Sequence, residues 1–347
     1  MLDDELDFKK DCPNYNYIPT ILPKVDRIIV IGDIHGDYKF AISCLKVAKV
    51  IDDSLNWIGG NTVVVQVGDQ IDRCRPKLLK CSDKRATKND EGSDVIILKY
   101  FTNLDKQARK NGGAVYSLFG NHEIMNATGN LNYVSYEGIN EFKNYVDPNN
   151  PDLKFVSGKE ARIHAFAPGH EYGKYLACTR VSSLIIGSFL FVHAGFVPEF
   201  MNNLNIKNRE DLIKINRQVR KWLLGLIDKK NVDKIVGSFN YSMFWDRILG
   251  NIPPNMNNKD PKCIKYLDKA LEIYNVGYMI IGHTPQYFSN KLGINKTCGN
   301  KLWRIDIGGS QAFDYFDENL ISEGKIVELR KTQILEILND EEINILK

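Results

Sequence analysis

The stretch Arg27-Ile28-Ile29-Val30-Ile31-Gly32-Asp33-Ile34-His35-Gly36-Asp37 decides how the rest of the chain is read. Its apolar run has the β-branched content of a strand buried on both faces, and it stops at Gly32. Asp33 and His35 follow two residues apart, so on an extended backbone their side chains point the same way. A carboxylate and an imidazole converging at the carboxyl end of a buried strand, beside glycines that let a ligand approach the backbone, make half of a metal site. A strand ending in a polar turn would look the same. What separates the two readings is recurrence.

The pattern does recur. Thr62-Val63-Val64-Val65-Gln66-Val67 delivers Gly68-Asp69-Gln70-Ile71-Asp72-Arg73, and Ala114-Val115-Tyr116-Ser117-Leu118-Phe119 delivers Gly120-Asn121-His122-Glu123. Ser183-Leu184-Ile185-Ile186, a Gly187-Ser188 turn and Phe189-Leu190-Phe191-Val192 read as a hairpin that ends in His193-Ala194-Gly195. Tyr278-Met279-Ile280-Ile281 ends in Gly282-His283-Thr284, and Leu302 to Ile307 forms a further strand. Helical spacing after the first block and over Val95 to Gln107 predicts crossover helices, and Glu210 to Asp228 predicts an amphipathic one.

Between these elements the signal weakens. Residues 125–180 read as an insert over the site, with a short helix near Gly138 to Tyr145, and a helical segment spans about 205–275. Residues 1–25 read as an extended N-terminal arm with a mobile tip, because Pro19 and Pro23 disfavour helix. Residues 26–347 then form a single catalytic domain that closes in a hairpin over about 330–347. The basic loop holding Arg75, Lys77, Lys80, Lys84, Arg85 and Lys88 reads as a solvated face, with a polyanion contact as the alternative.

The 347 residues carry 46 Lys and Arg against 43 Asp and Glu, a net charge of +3, so no nucleic-acid surface is expected. No apolar run reaches the length of a membrane span, and the acidic N-terminus is unlike a signal peptide. The seven cysteines are scattered without a CxxC pair, which predicts a reducing, cytoplasmic setting rather than a disulfide framework or thiolate zinc site.

Collected, the strand ends offer Asp33, His35, Asp69, Asn121, His193 and His283, an oxygen and nitrogen donor set. One carboxylate shared by two ions would hold them at the ~3.5–4 Å spacing of two-metal phosphoester hydrolases, where the pair acidifies a bridging water and clamps phosphoryl oxygens. Such donors suit manganese, iron or zinc better than calcium. An imidazole beside a ligand and paired to a carboxylate suits general acid work near neutral pH.

The ordered blocks GDIHGD, GDQIDR, GNHE, HAG and GHT, spanning residues 32 to 284, resemble the signature of calcineurin-like metallophosphoesterases, specifically the phosphoprotein phosphatases. The resemblance implies an α/β fold, a β-sandwich of two mixed sheets flanked by helices with an inserted cap-like region. It implies one metal held by Asp33, His35 and Asp69, and another by Asp69, Asn121, His193 and His283. It gives His122 the role of acid, oriented by Asp72, and gives Arg73 and Arg247 the phosphate oxygens. His-Ala-Gly in the fourth block, Cys74 after Arg73, and the absence of a C-terminal Ser-Ala-Pro-Asn-Tyr-Cys stretch resemble the bacterial-type, Shewanella-like branch. The implied activity is removal of phosphate from Ser or Thr of a protein or peptide, with Tyr as a further substrate, using two divalent ions, manganese first. Hydrolysis of dinucleoside polyphosphates or nucleic-acid ends is the alternative, and a metal-bound scaffold without turnover the third. His164 and His170 read as structural.

Overall fold

A computed structural model describes residues 2–322, 324 and 330–347. Two mixed sheets, each of six strands among the described residues, pack face to face. In chain order the strands are β1 (Ile21–Leu22), β2 (Arg27–Ile31), β3 (Val63–Gln66), β4 (Ala114–Leu118), β5 (Arg180–Val181), β6 (Ser183–Ile186), β7 (Phe189–Val192), β8 (Tyr278–Ile281), β9 (Asn295–Thr297), β10 (Leu302–Arg304), β11 (Ile334–Leu338) and β12 (Glu342–Leu346). One sheet runs β12-β11-β2-β3-β4-β5 and the other β1-β6-β7-β8-β10-β9.

Strand period dictates the layers. Ile28, Val30, Val63 and Val65 point between the sheets, where they meet Phe189, Phe191, Ile280 and Trp303. Their neighbours Ile29, Ile31 and Val64 point the other way, onto α2 (Tyr38–Val47) and α3 (Asp94–Arg109) through Ala41, Leu45, Ile97, Phe101 and Leu104. Ile28 to Ile31 and Val63 to Val65 are therefore apolar for one of two reasons, which is why these runs show no alternation. β2, β3 and β4 are parallel, so all three deliver their polar motifs to one edge. β7 and β8, parallel in the second sheet, deliver His193 and His283. The C-terminal hairpin β11-β12 adds antiparallel to β2.

Two expectations need correction. The start of the chain is a helix, α1 (Leu2–Asp11), with acidic residues in its first turn and lysines in its last, as the helix dipole favours. It is docked: Asp7 pairs with Arg220 (2.7 Å), Arg217 (3.1 Å) and Lys221 (3.1 Å), and Asp11 with Arg220 (3.2 Å). Those cations sit on a later helix, Asp211–Leu223, a partner that local sequence does not reveal. Only the segment held by Pro19 and Pro23 is extended, and β1 lies within it, paired with β6. The cysteines, expected to be unpaired, form Cys12–Cys178, Cys74–Cys81 and Cys263–Cys298, leaving Cys44 buried and free. Spacing alone could not show this, since two of the bridges join separate elements. Three paired bridges are not what a reducing compartment predicts. No helix among the described residues is long and apolar enough to cross a membrane.

The region 125–180 contains α4 (Asn121–Ala127, whose end it includes), α5 (Tyr136–Asn140), α6 (Gly158–Phe166) and α7 (Glu171–Thr179). Ser135 and Ser157 cap α5 and α6 by accepting from Gly138 N and Glu160 N.

Candidate active site

The strand ends converge in one cleft lined by His35, Asp69, Arg75, Asn121, His122, Tyr133, Trp245, Arg247, His283, Phe288, Phe313 and Phe316. The backbone is bent to achieve this. His35, Asp69, Asp72 and His283 all have positive φ (48°, 54°, 73° and 63°), a conformation costing non-glycine residues of order 1–3 kcal/mol each. The loops brace one another: Ile34 N and His35 N both donate to Asp69 O at 2.9 Å. Gly68, at φ 101°, abuts the Gly120 backbone so closely that a Cβ would lie 2.6 Å from Gly120 N. The Glu123 carboxylate, a residue quoted in the third motif but given no role from sequence, accepts from Gly120 N (2.7 Å), Gln70 N (2.8 Å) and Asp69 N (3.0 Å).

Asp69 is the hub. Its Oδ2 lies 3.4 Å from His193 Nε2, 3.8 Å from His35 Nε2 and 3.9 Å from His122 Nε2, while Oδ1 accepts from His122 N at 3.0 Å. Asn121 Oδ1 is 3.0 Å from His193 Nε2, and His193 Nδ1 is 2.9 Å from Val67 O, which fixes the ring's orientation. Asp33 sits 3.8 Å from His35 Nε2 and accepts from His283 N at 3.0 Å. Burial pushes the Asp33 carboxyl well above its ordinary value, with Asp306 and Asp69 adding repulsion. Burial acts the same way on Asp69, but His193 and His122 overcome it and hold that carboxyl well below the ordinary value. Burial likewise holds His35 and His283 well below the usual imidazole range.

This donor set fits a divalent metal pair. A buried ring nitrogen of the cluster, His283 Nε2, has no hydrogen-bond partner, and imidazoles crowded onto one carboxylate are what cations satisfy. Asp69, His193 and His283 bring one ligand atom each within 4.8 Å of one another, as do His35, Asp69 and His122. A carboxylate absent from the sequence-derived set, Asp306, is buried beside them. Burial pushes it up to about 6, and its Oδ2 has no partner. Its signal was available: Ile305-Asp306-Ile307-Gly308 repeats the pattern of buried strand, carboxylate and glycine.

His122 Nδ1 lies 2.8 Å from Asp72 Oδ2. Asp72 is in turn held by Asn126 Nδ2 (2.9 Å to Oδ1) and approached by Arg162 (3.5 Å). Arg247, exposed at the cleft, donates to His283 O at 3.0 Å. Arg73, by contrast, is withdrawn: its guanidinium donates to Gly36 O and Glu91 (both 2.9 Å) and to Gln311 (2.6 Å). The arginine in the cleft is Arg75, which stacks over Phe313 at 4.5 Å and donates to Asp72 O at 3.1 Å. The positive φ of Asp72 turns the chain there, so the residue adjacent to it points away and the one past Cys74 points in.

A family model for calcineurin-like phosphoesterases matches residues 26–287. The chain is a calcineurin-like metallophosphoesterase. It is 38% identical over 259 residues to the uncharacterized protein R398 of Acanthamoeba polyphaga mimivirus, covering 71% of this chain and 97% of that one. To Shewanella-like protein phosphatase 2 of Arabidopsis thaliana it is 30% identical over 322 residues, covering 85% and 74%, which places this metallophosphoesterase with the Shewanella-like phosphatases. The cold-active protein-tyrosine phosphatase of a psychrophilic Shewanella superposes with a TM-score of 0.65 at 22% identity, over 96% of this chain and 83% of that one, so the two share a fold. The protein is a metal-dependent phosphatase.

Proposed function

We propose that this metallophosphoesterase removes phosphate from phosphorylated side chains of proteins or peptides, with a divalent pair held by Asp33, His35, Asp69, Asn121, His193 and His283. The observation that carries the reading is the His122–Asp72 contact at 2.8 Å beside that donor cluster. Two such ions supply activation of water and a clamp on the phosphoryl oxygens. The remaining work falls to the chain itself. Asp72 accepts from His122 Nδ1–H and orients the ring, and it is the doubly protonated ring that gives its Nε2 proton to the departing alkoxide, keeping the proton on Nδ1. Arg75 and Arg247, both lining the cleft, bind the non-bridging phosphate oxygens. Sequence reading assigned that task to Arg73, which now reads as a strut under the site.

The cleft wall favours a second substrate beside phosphoserine and phosphothreonine. Tyr133, Trp245, Phe288, Phe313 and Phe316 present aromatic faces around the cluster, surroundings suited to the ring of phosphotyrosine. The polyanion alternative has less support: Arg85 pairs with Asp83 at 2.7 Å and Lys77 lies over the Tyr315 ring, both directed to local partners.

The test is manganese-dependent hydrolysis of para-nitrophenyl phosphate, of phosphoserine, phosphothreonine and phosphotyrosine peptides, and of diadenosine tetraphosphate, before and after chelation. Metal-dependent preference for the phosphopeptides supports the reading. Preference for the dinucleotide, or no turnover of any phosphoester, refutes it.

A further inference from the structure

Of the six histidines in the chain, three line the cleft and a fourth, His193, is buried behind it against Asp69. The other two, His164 and His170, turn toward a single carboxylate in the insert. His164 lies in the last turn of α6, and His170 occupies the position before α7 without a side-chain bond to that helix. Asp147 comes from the preceding turn, bridged to Asn150. His164 Nε2 is 2.5 Å from Asp147 Oδ2, His170 Nδ1 is 4.0 Å from the same oxygen, and the two rings lie 4.0 Å apart. One ligand atom from each of the three residues falls within 4.8 Å of the others.

A hydrogen bond accounts for His164 but not for His170, whose ring makes none among the described residues. Asp147 Oδ1 is engaged by Asn149 N at 2.7 Å, which leaves Oδ2 to face both rings. Zinc in tetrahedral geometry, with bonds of about 2.0–2.1 Å, spaces its donors roughly 3.3 Å apart. The observed 2.5 and 4.0 Å lie on either side of that spacing. The carboxylate is buried while the rings are partly open, which gives an ion a path inward.

We propose that Asp147, His164 and His170 form a second metal site, separate from the catalytic cluster, which takes a divalent transition ion of the zinc type. Two imidazoles and a carboxylate favour Zn²⁺ over magnesium or calcium. An ion there fastens the Asp147 turn to the junction of α6 and α7, three successive parts of the insert. The same α6 carries Arg162, two residues before His164, which reaches the carboxylates behind His122.

The test is zinc stoichiometry by native mass spectrometry of chelator-treated protein, with His164→Gln and His170→Gln beside the wild type. Each variant is expected to bind one Zn²⁺ fewer per chain, with unchanged circular dichroism and unchanged manganese-dependent turnover. Asp69→Asn, which disturbs the catalytic cluster, is expected to retain this ion. Zn²⁺ should raise the thermal midpoint of Asp69→Asn but add nothing when His170→Gln is combined with it. His170→Gln is the deciding variant, because its side chain is 39% exposed and anchors nothing else, so the fold survives its loss. Equal zinc counts in the wild type and both histidine variants overturn the proposal and leave only a His–Asp hydrogen bond.

Discussion

Arg162 and Asp72 approach to 3.5 Å, Nη2 to Oδ1, with both side chains wholly withdrawn from solvent. The same guanidinium donates to Asp94 at 2.7 Å, Asn126 at 2.9 Å and the Gly138 carbonyl at 2.9 Å. Asp72 is thus fixed from behind by the insert and from in front by His122. Arg162→Met strands two buried carboxylates and should cost about 3–5 kcal/mol. Urea denaturation of wild type and variant measures it, and a loss below about 1 kcal/mol would show that the network is dispensable.

A second consequence concerns Glu141, the third carboxylate near Arg162, at 3.7 Å. Burial, with Asp94 adding repulsion, pushes the Glu141 carboxyl up from its ordinary 4.5 to about 8. Between those values the folded chain holds a proton that the unfolded chain has released, so this group makes stability fall as pH rises through the window. Glu141→Gln should flatten that slope and raise the midpoint at pH 8 by roughly 1–3 °C, since about 1 kcal/mol moves a large domain's midpoint by that order. Thermal melts at pH 5 and pH 8 decide; a variant equally stabilised at both would place the cause elsewhere.

The acid role proposed for His122 predicts a dependence on leaving group. Asp72→Asn reverses the group facing His122 Nδ1 and should lower kcat by about 10²–10³ on a phosphoserine peptide. On para-nitrophenyl phosphate, whose phenolate departs with little help, the loss should be much smaller. Parallel losses on the two substrates would assign Asp72 to folding rather than to proton transfer.

Arg73 of the second motif and Arg75 of the loop that follows it should separate cleanly. Arg75→Ala removes a charge-assisted contact to phosphate worth roughly 1.5–3 kcal/mol and should lower kcat/KM about tenfold to a hundredfold, leaving the thermal midpoint near wild type. Arg73→Ala removes the anchor of Glu91, Gly36 and Gln311, so it should lower the midpoint while the folded fraction keeps its KM. The opposite partition would restore Arg73 to the substrate.

What could be read from the chain and what could not follows from distance along it. Buried strands and the residues at their ends are neighbours in sequence, so Asp33, His35, Asp69, Asn121, His193 and His283 were legible together with the two-sheet architecture. Arg162 was not, because its partners Asp72 and Asp94 lie 90 and 68 residues away and the arginine itself sits in a polar, weakly periodic region. α1 was missed for the same reason, its cationic partners Arg217, Arg220 and Lys221 lying some two hundred residues on. That Arg75 rather than Arg73 lines the cleft was not legible either, since the chain between them follows a left-handed residue, Asp72, which composition does not announce.

The Cys12–Cys178 bridge makes a closed covalent ring of 166 residue steps that encloses β2, β3, β4 and the insert, while His193 and His283 lie on the linear tail. A protease that cuts once within residues 82–92, where no helix or strand protects the chain, opens this ring without releasing a fragment. The nicked protein migrates as one molecule until a thiol is added and as two afterwards. The enzyme can therefore be severed between its second and third motifs and still keep all five blocks on a single covalent body.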